Sequence, residues 1–143
     1  FGFDVVRKSG FTGNMDTDLE GKIESALAEL RGHDLVFVHV KAPDVCAHDL
    51  QPLAKRDVLQ RLDTALEPLL GMDIKVAVAA DHTTNSNTGF HTADPVPALL
   101  SLPGASSILP VKFGERACRT GNLGRQTSHQ FLLEFIRAGF SGP

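Results

Sequence analysis

The sequence lacks the features that mark several common protein classes. It has no apolar run approaching the roughly 20 residues needed to cross a bilayer, and nothing resembles a signal peptide. Its net charge is −3 and no basic stripe interleaves with aromatic residues, so neither nucleic acid nor a membrane is expected as a partner. Only two cysteines occur, Cys46 and Cys118, too few for a disulfide-stapled secreted fold. We therefore expect free thiols in a reducing, cytoplasmic compartment.

The length and composition are sufficient for a folded domain. The chain has 143 residues, of which 42% are hydrophobic, and this is enough to form one domain with a core. It contains no internal repeat and no low-complexity segment. It opens with Phe1-Gly2-Phe3 rather than an initiator Met. We expect it to be a piece of a longer protein.

Helical stripes alternate with short apolar runs along the chain. Thr17 is predicted to cap the first helix, Pro52 to begin the second, and either Thr127 or Ser128 to cap the last. Strands are predicted at 35–40, 74–80 and, near an edge because of Pro97, 96–102. This alternation predicts an α/β fold with a mostly parallel sheet flanked by helices. In such sheets, ligands bind beyond the carboxyl ends of the strands.

Two adjacent residues of metal-binding type, Asp81 and His82, directly follow the apolar run 74–80. Neighbouring side chains point to opposite sides of an extended chain, so two neighbours that each bind metal would face two different ions. The alternative interpretation is a helix cap by Asp81 beside an exposed histidine. Their position at the end of a strand favours part of a binuclear site with oxygen and nitrogen ligands.

A second pair, Asp44 and His48, follows the other predicted buried strand, 35–40. Residues four apart share a face of a helical turn, so a carboxylate and an imidazole at this spacing can chelate one ion. His91, in a later polar loop, adds a further candidate ligand. The alternatives are solvated, capping or turn residues. A thiolate from Cys46 is also conceivable, but the other candidates are harder ligands than sulfur.

The order of these elements resembles the archaeal-type, 2,3-bisphosphoglycerate-independent phosphoglycerate mutases of the alkaline phosphatase superfamily. The resemblance covers nearly the whole chain and corresponds to the C-terminal part of a family member. It depends on the stretch from Val38 to Asp49, on Ala80-Asp81-His82-Thr83-Thr84, and on His91-Thr92-Ala93-Asp94-Pro95. Supporting stretches are Thr12-Gly13, Asp16-Thr17-Asp18 and Gly121-Asn122-Leu123-Gly124-Arg125.

The resemblance implies an alkaline-phosphatase-like fold and a division of the ligands between two ions. Asp44, His48 and His91 would hold one ion, and Asp81 and His82 would help to hold the second. The family's remaining ligands, an Asp and a nucleophilic Ser, belong to an N-terminal part that is absent here. No residue of this chain is therefore assigned as catalytic, and the isolated chain is expected to be inactive.

The implied reaction interconverts 3-phosphoglycerate and 2-phosphoglycerate through a phosphoserine intermediate, a step of glycolysis and gluconeogenesis. The expected cofactors are two divalent metal ions, Mn²⁺ first, with Zn²⁺, Mg²⁺ or Co²⁺ as alternatives. The chain departs from the family pattern at Val45 and Ala47, where the family usually has an acidic residue and a glycine. Two alternatives to a mutase stay open: another phosphatase or phosphomutase of the superfamily, and a non-catalytic interaction domain that keeps the fold.

Overall fold

The computed structural model describes residues 2–104 and 112–138, and the chain separates into two compact units. The first unit comprises 1–70 and 84–91, and the second comprises 71–83 and 92–143. Among the described residues, no helix has the length and apolar character needed to cross a membrane. The helices are α1 (Leu19–Glu29), α2 (Ala42–His48), α3 (Pro52–Ala65), α4 (Glu115–Cys118) and α5 (Ser128–Arg137), with a 3₁₀ turn at Glu67–Leu69. The strands are β1 (Val76–Ala79), β2 (Thr83–Thr84), β3 (His91–Thr92) and β4 (Ala98–Ser101).

The cap of helix α1 lies one residue later than the predicted Thr17. The side chain of Asp18, not Thr17, accepts the free backbone N–H of Gly21 at 2.8 Å. Thr17 is fully buried instead, and its hydroxyl donates to the carbonyl of Thr12. The apolar face of α1 places Ile23 in the main core of the first unit. That core consists of Leu19, Ile23 and Ala65, with Leu27, Val38, Val40, Leu62, Leu66 and Leu69 packed around it.

Helices α2 and α3 pack on each other around a second, smaller core. Ala42 and Cys46, four residues apart on α2, are both fully buried and form a cluster with Val58 of α3. Leu50 adopts a positive φ of 58° in the turn between the helices. Gln51 N–H donates to the carbonyl of Cys46, a pairing typical of helix ends that close with a left-handed residue. The inward face of α2 is thus determined by small residues that allow a close approach to α3.

The predicted strand at 35–40 is wrong as a strand, although its residues do alternate in burial. Val36, Val38 and Val40 are half-buried, whereas Phe37 between them is 76% exposed. A strand requires a hydrogen-bonded neighbour, and within the described residues no strand is assigned to this segment. The segment therefore behaves as an extended connection whose valines pack on the α1 core.

The predicted mostly parallel sheet is also wrong for the described residues. In the second unit, β1 and β4 pair antiparallel, with Val76 opposite Ser101 and Ala79 opposite Ala98. A parallel pair needs a crossover connection, usually a helix, whereas residues 80–97 contain only the short β2–β3 pair. The α/β composition is confirmed, but the sheet consists of two small two-stranded pieces.

Helix α5, in the second unit, begins with a capping box. The hydroxyl of Thr127 accepts the backbone N–H of Gln130, and the side chain of Gln130 accepts the backbone N–H of Thr127. At the other end of the helix, the ammonium group of Lys75 donates to the carbonyls of Ile136 and Ala138, at 3.1 and 3.0 Å. Both ends of the helix thus have their free backbone groups partly satisfied.

Replacing Thr127 with alanine removes the acceptor for one of the free N–H groups at the start of α5. We expect the free energy of unfolding to fall by about 0.5–2 kcal/mol, measured by urea denaturation. The matched control is Ser128→Ala, which deletes a hydroxyl one residue later, outside the capping box. Equal midpoints for Thr127→Ala and Ser128→Ala would contradict the capping role.

Candidate metal centre

Helix α2 presents two ligand residues on the face opposite its buried one. Because Ala42 and Cys46 point into the core, Asp44 and His48, each offset by two residues, point outward. The predicted i, i+4 pair is therefore confirmed as neighbours on one helix face. Oδ1 of Asp44 lies 3.4 Å from Nε2 of His48. The core packing of α2 determines the direction in which both side chains project.

The segment between β2 and β3 brings the third predicted residue to the same place. Asn85 N–H donates to the carbonyl of Phe90, and Gly89 N–H donates to the carbonyl of Asn85, so the loop turns back on itself. The turn delivers His91, whose Nε2 lies 3.1 Å from Nε2 of His48 and 3.8 Å from Oδ1 of Asp44. Thus three residues from two distant stretches of sequence form one cluster.

The three distances match the size of a metal ion and its bonds. In a triangle with sides of 3.1, 3.4 and 3.8 Å, one point lies about 2.0 Å from each of the three ligand atoms, close to the bond lengths that Zn²⁺ and Mg²⁺ make to nitrogen and oxygen. One carboxylate and two imidazoles form a hard-to-borderline ligand set suited to divalent ions. The residues present therefore fit one divalent metal ion.

Hydrogen bonding determines which nitrogen of His48 is available as a ligand. Nδ1 of His48 lies 2.7 Å from the carbonyl of Gly89. A carbonyl can only accept, so in the neutral ring the proton resides on Nδ1 and the lone pair of Nε2 faces Asp44 and His91. A carbonyl that orients a ligand histidine in this way is common around bound metals.

Gly89 reaches His48 because it has no side chain. A β-carbon at this position would lie 3.0 Å from the carbonyl oxygen of His48 and 3.3 Å from Leu50. Its φ of +73° also lies in the left-handed region, which glycine adopts at no steric cost. Gly89 thus allows the loop to approach the end of α2 closely enough for its carbonyl to accept the Nδ1 proton.

Asp44 is held in its ionised form. Burial alone would raise its pKa, but hydrogen bonds from Lys41 and Thr84 outweigh that cost and lower the pKa to about 2. The side chain is only 14% exposed. At neutral pH the group is therefore a carboxylate, the form in which it can bind a cation.

The other predicted pair, Asp81 and His82, lies in the second unit. Oδ2 of Asp81 lies 3.4 Å from Nε2 of His82, and Oδ1 accepts the backbone N–H of His82. The prediction that the two would face opposite sides is wrong, because β1 ends at Ala79 and these residues lie in a bend rather than in an extended strand. The two ligand atoms thus lie close together and not on opposite faces of a strand.

Cys46 is a core residue and takes no part in the cluster. It is fully buried between α2 and α3, and burial raises the pKa of its thiol, which disfavours the thiolate. The two positions that depart from the family pattern, Val45 and Ala47, are half-buried and fully buried, respectively.

The sequence analysis did not identify Lys41, Thr84 and Gly89 as partners of the ligands. Only the proximity of Lys41 to Asp44 could have indicated one of these contacts.

Comparison with known proteins identifies the family of this chain. The sequence profile of the Metalloenzyme superfamily matches residues 2–134. The chain belongs to the Metalloenzyme superfamily. Membership of this superfamily implies that the chain binds divalent metal, and it fits the expected α/β, alkaline-phosphatase-like fold.

Individual relatives confirm the resemblance seen in the sequence. The chain is 34% identical over 135 residues to the 2,3-bisphosphoglycerate-independent phosphoglycerate mutase of Pyrococcus furiosus, covering 92% of this chain and 33% of the relative. It is 38% identical over 125 residues to the enzyme of the same name from Methanosphaerula palustris, covering 87% of this chain and 30% of that one. This member of the Metalloenzyme superfamily thus spans about a third of the length of these relatives.

A solved structure shares the fold. The PH0037 protein of Pyrococcus horikoshii superposes with a TM-score of 0.87 at 31% identity, covering 99% of this chain and 46% of that one. The fold of this Metalloenzyme superfamily member thus corresponds to a little under half of that longer chain.

Proposed function

We propose that this chain forms part of a metal-dependent phosphoglycerate mutase, which interconverts 3-phosphoglycerate and 2-phosphoglycerate through a phosphoserine intermediate. The observation that carries the proposal is the Asp44, His48 and His91 cluster, whose ligand atoms all lie within 4.8 Å of one another. Relatives that bear the mutase name support the choice of reaction. Two independent findings, a local geometry and a family, thus favour the same chemistry.

In this proposal, Asp44, His48 and His91 hold one divalent ion, and Asp81 and His82 contribute to a second. Mn²⁺ is our first choice of ion because carboxylates suit it, and Zn²⁺, which imidazole suits, is the main alternative. When bound, such ions lower the pKa of an attacking hydroxyl and neutralise charge on a phosphoryl group during its transfer. The chain contributes an ionised Asp44 and a His48 whose proton is held on Nδ1 by Gly89.

The nucleophilic serine of the proposed mechanism is expected in the part of the family that this chain does not span. Ser101 is the last residue of β4 and Ser128 the first of α5, which are structural positions. We therefore expect the isolated chain to bind metal without turning over substrate.

The proposal is tested by supplying 3-phosphoglycerate and Mn²⁺ to two proteins. One is this chain alone, and the other is a chimera in which it replaces the matching third of the Pyrococcus furiosus relative. We expect 2-phosphoglycerate from the chimera, detected by NMR or a coupled enolase assay, and none from the chain alone.

Other results would overturn the proposal in distinguishable ways. Free phosphate in place of 2-phosphoglycerate would indicate a phosphatase. A folded chain that retains no Mn²⁺ above background would indicate a non-catalytic interaction domain. A chimera with Asp44→Asn serves as the control, because any mutase activity that survives in it does not depend on the proposed site.

A further inference from the structure

Thr84 lies at the centre of the contacts that orient Asp44. Its side chain is buried, with only 4% of the residue exposed, and its hydroxyl donates to Oδ1 of Asp44 at 2.5 Å. Oδ1 is the same oxygen that lies 3.4 Å from His48 and 3.8 Å from His91. The hydroxyl of Thr84 therefore donates its hydrogen bond to the carboxylate oxygen that lies nearest the two imidazoles.

The other carboxylate oxygen has a different partner. Oδ2 of Asp44 accepts a hydrogen bond from the ammonium group of Lys41, in the same helical turn. A carboxylate oxygen offers two lone-pair directions, and Thr84 occupies one of those on Oδ1. Rotating the carboxylate out of this orientation would break the bonds to both Thr84 and Lys41. Asp44 is thereby restricted to presenting the remaining lone pair of Oδ1 toward His48 and His91.

Thr84 is itself anchored from a separate helix. Lys55 of α3 donates to the backbone carbonyl of Thr84 at 3.2 Å, and Thr84 is followed directly by the loop that delivers His91. Since α3 also packs against α2, the donor and the acceptor of the Thr84–Asp44 bond are both positioned by the same helix. The position of the hydroxyl is therefore set before any ion binds.

From these contacts we propose that Thr84 is a positioning residue of the metal centre, which orients Asp44 toward the ion through its hydroxyl. The inference rests on the proposed function insofar as Asp44, His48 and His91 bind the ion. It adds to the three ligands a residue that affects metal affinity without itself binding the ion. Outer partners of this kind commonly change metal affinity by about 10–100-fold.

The test measures Mn²⁺ affinity by isothermal titration calorimetry. The parent chain is compared with three variants, two at Thr84 and one at Thr64. Thr84→Val preserves the shape of the side chain and removes the hydroxyl, and we expect the dissociation constant to rise about 10–100-fold. Thr84→Ser restores a hydroxyl and should bind within about threefold of the parent chain, a rescue that a purely structural role would not require. Thr64→Val is the matched control, because the hydroxyl of Thr64 donates to the carbonyl of Gln60 within α3.

The outcomes separate this inference from the proposed function. If the parent chain binds no Mn²⁺, the proposed function fails. If the parent binds and Thr84→Val binds equally well, the positioning role fails while the site stands. Should Thr84→Val not fold, as judged by circular dichroism, Thr84→Ala removes the same hydroxyl without adding a methyl group and carries the same expectation. If Thr84→Ser binds as weakly as Thr84→Val, the hydroxyl is not the cause and the proposal is overturned.

Discussion

The His48→Ala variant is expected to lose Mn²⁺ binding at the cluster with Asp44 and His91. The change removes one of the three ligand atoms. It also leaves the carbonyl of Gly89 without the Nδ1 proton that it accepts from His48 in the parent chain. A direct ligand matters more than an outer partner, so the dissociation constant should rise by more than about 100-fold. Equilibrium dialysis followed by metal analysis gives the affinity without requiring catalytic activity.

Thermal unfolding provides a second measurement of the same prediction. An ion that binds only the folded state stabilises it by about 2.7 kcal/mol when present at 100 times its dissociation constant. The parent chain should therefore unfold at a higher temperature with Mn²⁺ than with a chelator, and His48→Ala should show a much smaller difference.

The control for His48→Ala is another exposed histidine of the same unit. His39→Gln deletes an imidazole outside the cluster, and it should leave both the affinity and the Mn²⁺-dependent stabilisation unchanged. Asp44→Asn should match the loss seen for His48→Ala, because both residues serve one ion. If His48→Ala retained the parent affinity, or if His39→Gln lost it equally, the assignment of the cluster would be refuted.

The sequence predicted the membership of the cluster better than its surroundings. Helical periodicity correctly placed Asp44 and His48 on one face, because the i, i+4 relation follows from helix geometry alone. The contacts of Asp44 with Thr84 and of His48 with Gly89 join residues about 40 positions apart. No local pattern encodes such contacts, since they depend on how the loop before His91 folds back on α2.

The fold errors share a physical origin. The valines around Phe37 have the composition of a buried strand, and their alternation in burial fits one. Whether an extended segment becomes a strand depends on hydrogen bonds to another part of the chain, which its own residues do not determine. The same reasoning explains the sheet: the residues of β1 predict a strand, but its antiparallel partner β4 is selected by the connection between them.

The local signals at helix ends were more reliable, although they shifted by one residue. Thr17 and Asp18 are both good capping residues, and periodicity cannot choose between them. The core makes the choice, since Thr17 is fully buried and its hydroxyl bonds to Thr12. Of the two caps predicted for the last helix, Thr127 and Ser128, the structure has Thr127, whose hydroxyl accepts the N–H of Gln130.

The largest expected loss of stability comes from Ile23→Ala in the core of the first unit. Ile23 is only 4% exposed and packs with Leu19 and Ala65, so truncation removes buried methyl groups and leaves a cavity that the helices fill only partly. Such substitutions cost about 2–5 kcal/mol, which is a large share of the 5–15 kcal/mol by which a folded domain is typically stable. Urea denaturation should show a lower midpoint with an unchanged slope.

Truncation of a surface residue distinguishes the loss of core packing from a general effect of introducing alanine. Leu53 of α3 is 66% exposed, so Leu53→Ala deletes a similar side chain at a solvated site and should shift stability by no more than about 0.5 kcal/mol. The metal centre lies on α2 and the 84–91 loop, outside the Ile23 cluster. Ile23→Ala should therefore keep its Mn²⁺ affinity at temperatures where it remains folded. Equal midpoints for Ile23→Ala and Leu53→Ala would show that α1 does not anchor this core.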